Sequence, residues 1–176
     1  MSHYTYQATL KSLYDKAARL YNEGKNDPAT YFDAEELAFL DSIGAKVQEV
    51  YDCVDDAIRY GGPDYETFQL IMAVRRDYFL EVQKGVASSA TLDEASLPPK
   101  TDEVRGIVWL PRLMPKARGR LRGELPDSLM FCCGGDRDFF QTHDIHPAEF
   151  LRAVWAYRDD DEKLIDWVQS RSIVID

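Results

Sequence analysis

The stretch Val-Gln-Glu-Val-Tyr-Asp-Cys-Val-Asp-Asp-Ala-Ile at residues 47–58 decides the fold class. Its apolar side chains recur every three or four residues, and acidic side chains occupy most of the positions between them. That spacing places the apolar groups on one side of an α-helix and is typical of an amphipathic surface helix. The same period continues outward in both directions, so the sequence predicts an all-α protein of about seven or eight helices.

The segment before this stretch carries its own helix signals. Asp33 stands three residues before Glu36, which is the spacing of a capping box, and Gly44 follows the next apolar positions. An earlier helix is predicted around Leu10–Leu20, with Gly24 as its end. The sequence therefore predicts two helices ahead of residues 47–58.

The segment after it predicts a central helix over residues 65–84. Gly61-Gly62-Pro63 breaks the preceding helix, and Asp64 is a suitable N-cap. Residues 70–74 are apolar around the whole helix circumference, which indicates burial on all sides. Arg75 and Asp77 follow directly, so at least one charge in this run is expected to be partly buried and paired. We expect both residues to be ligand-binding residues or, alternatively, members of a structural pair between helices.

Residues 86–101 read as a linker because they combine small residues with Pro98-Pro99. They divide a helical half at residues 1–97 from a helical half at residues 98–176, and we expect the two halves to pack together as one structural domain. In the second half a helical period runs over residues 107–121, but it contains Pro111 and Pro115, so the helix is either kinked or begins later. Further elements are expected around Phe139, at 147–157 and 160–170, and at 173–175 as a short strand or a frayed end.

Composition excludes several classes of protein. The formal charge of -10 and the pI near 4.8 disfavour nonspecific binding to nucleic acid or to an anionic membrane. The sequence shows no secretory signal and no apolar run long enough to span a bilayer, and its three cysteines suggest no disulfide framework. These features predict a cytoplasmic protein with reduced thiols.

One segment departs from this acidic background. Residues 112–122 hold five positive charges and no negative charge, so the rest of the chain carries -15. On a helix, Arg112, Lys116 and Arg120 share one face, where they would suit a carboxylate or a phosphate. The alternative is that these cations complement the helix dipole and pair with acidic groups of the chain.

Residues 131–147 gather the other reactive side chains, namely Cys132, Cys133, Asp136, His143 and His146. Adjacent cysteines and an isolated His-x-x-His make poor zinc ligands, so we expect neither a metal nor a cofactor. A Cys132–His143 pair of nucleophile and base is conceivable, as is a buried apolar turn followed by a helix start. No phosphate-binding loop or dinucleotide-binding glycine motif is present in the sequence.

Three motifs carry a resemblance to a known family. They are Gly-Ile-Val-Trp-Leu-Pro-Arg-Leu-Met-Pro-Lys-Ala-Arg at 106–118, Phe-Cys-Cys-Gly-Gly-Asp-Arg at 131–137 and Ile-His-Pro-Ala-Glu-Phe at 145–150. The chain resembles, over residues 31–172, a bacterial family classed as a domain of unknown function. The resemblance implies a small helical cytoplasmic bacterial protein and no particular activity.

The leading functional hypothesis is that the chain binds a small anionic ligand or a partner segment. Arg112 and Lys116 would contact the anion, with Arg75, Asp77, Asp136 and His143 as further ligand-binding residues. A second hypothesis is an enzyme that uses His143 or Asp136 as acid or base beside that anion site. A third is a structural or partner-docking module. The sequence does not decide whether the chain forms homo-oligomers.

Overall fold

A computed structural model describes residues 3–171 of the chain. The protein is mostly helical, with eight α-helices and one two-stranded sheet among the described residues. The chain forms two compact units, Met1–Val86 (unit 1) and Ala87–Asp176 (unit 2). The predicted all-α class is therefore confirmed, while the predicted division at residue 97 stays a prediction.

Unit 1 contains four α-helices that follow the predicted order. They are α1 (Tyr6–Asn22), α2 (Ala34–Ser42), α3 (Val47–Tyr60) and α4 (Tyr65–Glu81). Asp33 and Glu36 form the predicted capping box at the start of α2, and Asp64 caps α4 by accepting from the Thr67 amide. Helix α1 packs against both α3 and α4. Local capping chemistry thus fixes where α2 and α4 begin.

Helix α4 buries a wide face that includes charged side chains, but its opposite face is exposed, so the predicted burial on all sides is wrong. Met72 is 0% exposed, Arg75 is 2% exposed and Arg76 is 6% exposed. Asp77 points away from the core and is exposed, as is Leu70. We expected at least one charged residue after the apolar run to be partly buried, and this is confirmed. The buried residues are Arg75 and Arg76, whereas Asp77 is exposed.

Unit 2 contains the two short strands and four α-helices. They are β1 (Glu103–Val104), β2 (Ile107–Val108), α5 (Leu110–Arg122), α6 (Gly134–Thr142), α7 (Pro147–Tyr157) and α8 (Asp161–Arg171). The strands pair antiparallel, and α7 packs against both α5 and α8. The core of unit 2 therefore forms around α5 and α7.

The start of α5 resolves the question raised by its two prolines. Residues 103–108 form the hairpin, so the helix begins later than the apolar period suggests. Pro111 lies in the first turn, where a missing N–H costs nothing, and Pro115 lies inside the helix. The hairpin was not predicted, because strands of two residues leave no periodic signal.

The segment predicted as a linker, residues 86–101, makes hydrogen bonds to other parts of unit 2. The Leu92 amide donates to the Glu124 carbonyl at 2.7 Å, and the Ser88 hydroxyl donates to the Glu124 carboxylate at 2.8 Å. Leu97 is buried. Within residues 3–171 no helix is long and apolar enough to cross a membrane. The short strand considered at 173–175 lies outside the described residues.

Candidate functional site

The cations of residues 112–122 contact groups of the chain itself. Arg112 donates to the Pro98 carbonyl at 3.0 Å and lies 3.8 Å from the Glu94 carboxylate. Arg118 pairs with Asp161, and Arg122 pairs with Glu124 at 3.0 Å. These contacts support the alternative interpretation of the basic segment, in which its charges pair internally. The anion site expected on the α5 face stays a prediction.

Lys116 makes the contact that defines the candidate site. Its side chain is 2% exposed, and its ammonium Nζ donates to Asp136 Oδ2 at 2.7 Å. Asp136 is 0% exposed and lies in the first turn of α6. Burying two charges costs free energy, which a close pair with further hydrogen bonds can offset. The structure thus brings together two of the predicted site residues, which are 20 positions apart in the chain.

Asp136 receives two further hydrogen bonds. The Trp109 indole Nε1 donates to Oδ1 at 2.9 Å, and the Cys132 amide donates to Oδ2 at 2.8 Å. Both carboxylate oxygens are therefore engaged, and the ring of Trp109 lies directly against Gly135. We call Trp109, Lys116, Cys132, Cys133 and Asp136 the Asp136 cluster.

Two residues of the Asp136 cluster have a left-handed backbone. Trp109 has φ +76° and Cys132 has φ +72°. Such a conformation is unfavourable for a residue with a side chain and persists where surrounding contacts hold it. The Cys132 amide and the Trp109 indole both donate to the same carboxylate, so Asp136 contacts both of these segments. Backbone strain of this kind often accompanies functional sites.

Cys133 is the partly accessible thiol of the cluster. It is the N-cap residue of α6, and its side chain makes no capping hydrogen bond. Lys116 Nζ donates to its sulfur at 3.3 Å. A positive charge and the start of a helix both interact favourably with a thiolate, which is the nucleophilic form of cysteine. Cys133 is half-buried, whereas Cys132 and Cys53 are buried.

The neighbouring thiol has the opposite character. Burial raises the pKa of Cys132 to about 12, so this group stays protonated near neutral pH. Burial also lowers the pKa of the Arg120 guanidinium to about 10, with a smaller opposing effect from Cys132. Cys132 therefore behaves as a small buried apolar residue, and its main polar contribution is the amide that it donates to Asp136.

His143 lies at the other end of α6. It is the C-cap residue, and its ring lies 4.5 Å from the Phe139 ring. Burial lowers its pKa, which favours the neutral imidazole. It lies seven positions after Asp136, which corresponds to about 10 Å along the helix axis. His146 is a helix cap, because its Nδ1 accepts from the Ala148 amide at 3.1 Å.

The remaining predicted site residues belong to unit 1. The Arg75 guanidinium donates to Gln83 at 2.7 Å and lies over the Phe79 ring, with its central carbon 5.2 Å from the ring centroid. Asp77 is exposed and lies 3.6 Å from Arg76. Their assignment as ligand-binding residues stays a prediction.

Sequence reasoning missed Trp109 and Cys133 as members of the site. Trp109 occurs in the motif at 106–118, but nothing in the sequence shows that its indole N–H reaches a carboxylate 27 residues later. For Cys133 a signal was present, since the Gly-Gly-Asp sequence after it can begin a helix and place the thiol at its N-terminus. Among residues 3–171, no three His, Cys, Asp or Glu side chains are arranged to hold a metal ion.

Comparison with protein families agrees with the resemblance seen in the sequence. Residues 97–174 match the model of a domain of unknown function, DUF5069. No curated protein and no solved structure gives a significant match to this chain. The matched segment contains the whole Asp136 cluster, so two of the motifs that carry the resemblance meet at Asp136. The resemblance over residues 31–96 stays a prediction.

Proposed function

We propose that the DUF5069 domain at residues 97–174 binds a small electrophilic ligand covalently, with Cys133 as the nucleophile. The observation that carries this proposal is the contact between the buried Lys116 ammonium and the half-buried Cys133 sulfur at 3.3 Å. Of the three thiols in the chain, this is the one that combines access to solvent with a neighbouring cation.

Each member of the Asp136 cluster has a role in this proposal. Lys116 is the counter-ion of the thiolate. Asp136 holds the Lys116 ammonium in place, and Trp109 and the Cys132 amide fix the Asp136 carboxylate. A buried ammonium without a carboxylate partner carries a large desolvation cost, which the close Asp136 carboxylate offsets.

The reaction is a nucleophilic displacement. The Cys133 thiolate forms a bond from sulfur to the electrophilic atom of the ligand, and the bond from that atom to its leaving group breaks. The leaving group departs with the electron pair, and the thiol proton passes to solvent. With a disulfide as the electrophile, the product is a mixed disulfide and a released thiolate.

An acid–base enzyme built on Asp136 and His143 has less support. Asp136 is fully buried with both oxygens engaged, and His143 lies about 10 Å further along α6. The leading hypothesis of an anionic ligand is compatible with the Cys133 site, but its contacts would lie at the start of α6 rather than on the cationic face of α5.

The test is site-resolved alkylation of the folded protein with iodoacetamide near neutral pH. We expect Cys133 to be modified first and Cys132 and Cys53 to remain protected, because both are buried. The rate at Cys133 should exceed that of a small free thiol by about tenfold, since the thiolate is the reacting species. A rate at or below that of the free thiol would overturn the proposal.

A further inference from the structure

We infer that Lys116 and Cys133 form a redox-sensitive pair, in which a peroxide causes the Cys133 sulfur to become covalently bonded to Lys116 Nζ. The inference rests on the proposed function in one respect, since Cys133 must be the reactive thiol. It goes beyond that function by making Lys116 a second reactive group and the pair a modification site. The modification blocks the nucleophile until a reductant releases it.

The distance between the two reactive atoms carries the inference. Lys116 Nζ and the Cys133 sulfur are 3.3 Å apart, which is within the range of about 3–3.5 Å at which reacting atoms are positioned for attack. The two side chains come from different segments, since Lys116 belongs to α5 and Cys133 precedes α6. Lys116 is 2% exposed and is held by Asp136 at 2.7 Å. The core of unit 2 therefore fixes this contact, unlike a contact between two exposed side chains.

Burial places the oxidant and the amine on different sides of the sulfur. Cys133 is half-buried, so a small molecule reaches it from solvent, whereas Lys116 lies in the core. The peroxide oxygen is therefore added on the solvent side of the sulfur, and Lys116 Nζ faces the sulfur from the buried side. A displacement at sulfur needs this arrangement, because the entering group approaches opposite the group that leaves.

The first step is oxidation of the Cys133 thiolate by hydrogen peroxide. A bond forms from the sulfur to one peroxide oxygen, and the O–O bond breaks. Hydroxide departs with the electron pair, so the peroxide is reduced and the sulfur is oxidised to a sulfenic acid.

The second step is attack of the Lys116 amine on the sulfenic acid. The Lys116 ammonium first passes a proton to Asp136 Oδ2, which accepts its hydrogen bond at 2.7 Å. A bond then forms from Nζ to the sulfur, the S–O bond breaks, and the oxygen leaves as water with a second proton from the amine. The products are a sulfenamide, one water molecule and a protonated Asp136, and no further oxidant is consumed. An added thiol attacks the sulfur and releases the amine, so the modification is reversible.

The adjacent Cys132 is the competing partner for an oxidised Cys133. Burial raises the pKa of its thiol to about 12, so it stays protonated, and a protonated thiol is a poor nucleophile. The Cα atoms of neighbouring residues are also closer together than those of ordinary disulfides, so a Cys132–Cys133 bridge is strained. Lys116 is therefore favoured over Cys132.

The test treats the folded protein with hydrogen peroxide and then maps its tryptic peptides by mass spectrometry without reductant. Trypsin separates Lys116, in residues 113–118, from Cys133, in residues 123–137. We expect these two peptides to be joined with the loss of two hydrogen atoms, and the link to disappear on treatment with dithiothreitol. The link should be at least about tenfold less abundant after the same treatment in urea, where the two atoms are no longer held together.

Two variants identify the bonded atoms. Cys133→Ser should give no link, which excludes a bond from Lys116 to Cys132. Lys116→Arg keeps a positive charge beside the sulfur but removes the amine, so it should also give no link, while alkylation of Cys133 by iodoacetamide stays faster than that of a free thiol.

The outcomes separate this inference from the proposed function. If iodoacetamide modifies Cys133 rapidly but peroxide yields only a sulfinic acid or a Cys132–Cys133 disulfide, the inference is overturned and the nucleophile remains. A link that retains one peroxide oxygen would contradict the S–N bond. If Cys133 reacts with iodoacetamide no faster than a free thiol, the proposed function itself is overturned. The wild-type result decides the inference even if a variant does not fold.

Discussion

Unit 1 and unit 2 each bury positive charge on a central helix, but they surround it differently. In unit 1 the Arg76 guanidinium lies over the Tyr6 ring, with its central carbon 4.3 Å from the ring centroid, and contacts His3 Nδ1 at 2.9 Å. In unit 2 the Lys116 ammonium pairs with a fully buried carboxylate and contacts a thiol. An aromatic ring, a histidine and the exposed Asp77 carboxylate at 3.6 Å accommodate the cation of unit 1, whereas the arrangement in unit 2 also places the cation beside a nucleophile.

The largest predicted effect is that of Asp136→Ala. It leaves Lys116 buried without a carboxylate and removes the acceptor for Trp109 and for the Cys132 amide. Breaking a buried pair in this way costs about 3–5 kcal/mol. Urea denaturation, monitored by tryptophan fluorescence, measures the free energy of unfolding of unit 2. The signal reports on this unit because all three tryptophans lie in it, namely Trp109, Trp155 and Trp167.

The control for this prediction is Asp138→Ala, which removes an exposed carboxylate from the same helix. We expect it to change the free energy of unfolding by less than about 0.5 kcal/mol. Equal losses in the two variants would mean that the pairing of Lys116 with Asp136 does not stabilise unit 2.

A pair of glycine variants tests whether the Trp109 ring is fixed in the cluster. A Cβ on Gly135 would lie 2.5 Å from Trp109 Cη2, whereas one on Gly134 would meet only Arg137 Nη2 at 4.0 Å. Gly135→Ala should therefore destabilise unit 2 by about 1–3 kcal/mol through overpacking. Gly134→Ala should be close to neutral, and a similar loss in both variants would indicate a general effect on the helix start.

The raised pKa of Cys132 predicts a dependence of stability on pH. The unfolded thiol has its ordinary pKa of 9.0, and the folded one titrates at about 12. This group's contribution is present below pH 9 and is lost as the pH rises, because the unfolded state releases the proton first. Between pH 9 and pH 10 the loss is about 1 kcal/mol. Over the same interval the free energy of unfolding should fall by about 1 kcal/mol more in the wild type than in Cys132→Ala. If the two proteins lose stability equally with pH, the pKa of Cys132 is not raised.

The smallest effect is expected for Arg76→Met in unit 1. The methionine keeps most of the apolar contact and removes a charge whose Nε has no hydrogen-bond partner. The lost interaction with the Tyr6 ring and the saved desolvation nearly cancel, so the change should be within about 1 kcal/mol. Far-UV circular dichroism during thermal unfolding checks this. A loss of stability comparable to that of Asp136→Ala would show that the two units depend equally on their buried cations.

The fold was largely predictable from local signals. Asp33 with Glu36 and the stripe at 47–58 indicated helices that the structure contains, since capping and periodicity act over a few residues. The hairpin at 103–108 was missed because each strand has two residues.

The candidate site was predictable in two of its members, Lys116 and Asp136, but not in its contacts. Lys116 and Asp136 were both expected to matter, yet Lys116 was expected to face a ligand, and it faces Asp136 instead. A spacing of four residues defines a helix face, but it does not show whether that face points to solvent or to the core. Tertiary packing decides this, and in α5 it buries Lys116 and Arg120 together with apolar neighbours such as Leu113 and Ala117.

The most direct test of the central claim is the alkylation rate of Cys133 in Lys116→Met and in Arg76→Met, with Cys132 and Cys53 followed in the same samples. We expect the rate at Cys133 to fall about tenfold in Lys116→Met, because the thiolate loses its counter-ion, and to stay unchanged in Arg76→Met. Local unfolding would also lower the rate at Cys133 toward that of a free thiol, but it would raise the rates at Cys132 and Cys53, so unchanged rates at these buried thiols assign the fall to the lost counter-ion. An unchanged rate at Cys133 in Lys116→Met would contradict the account.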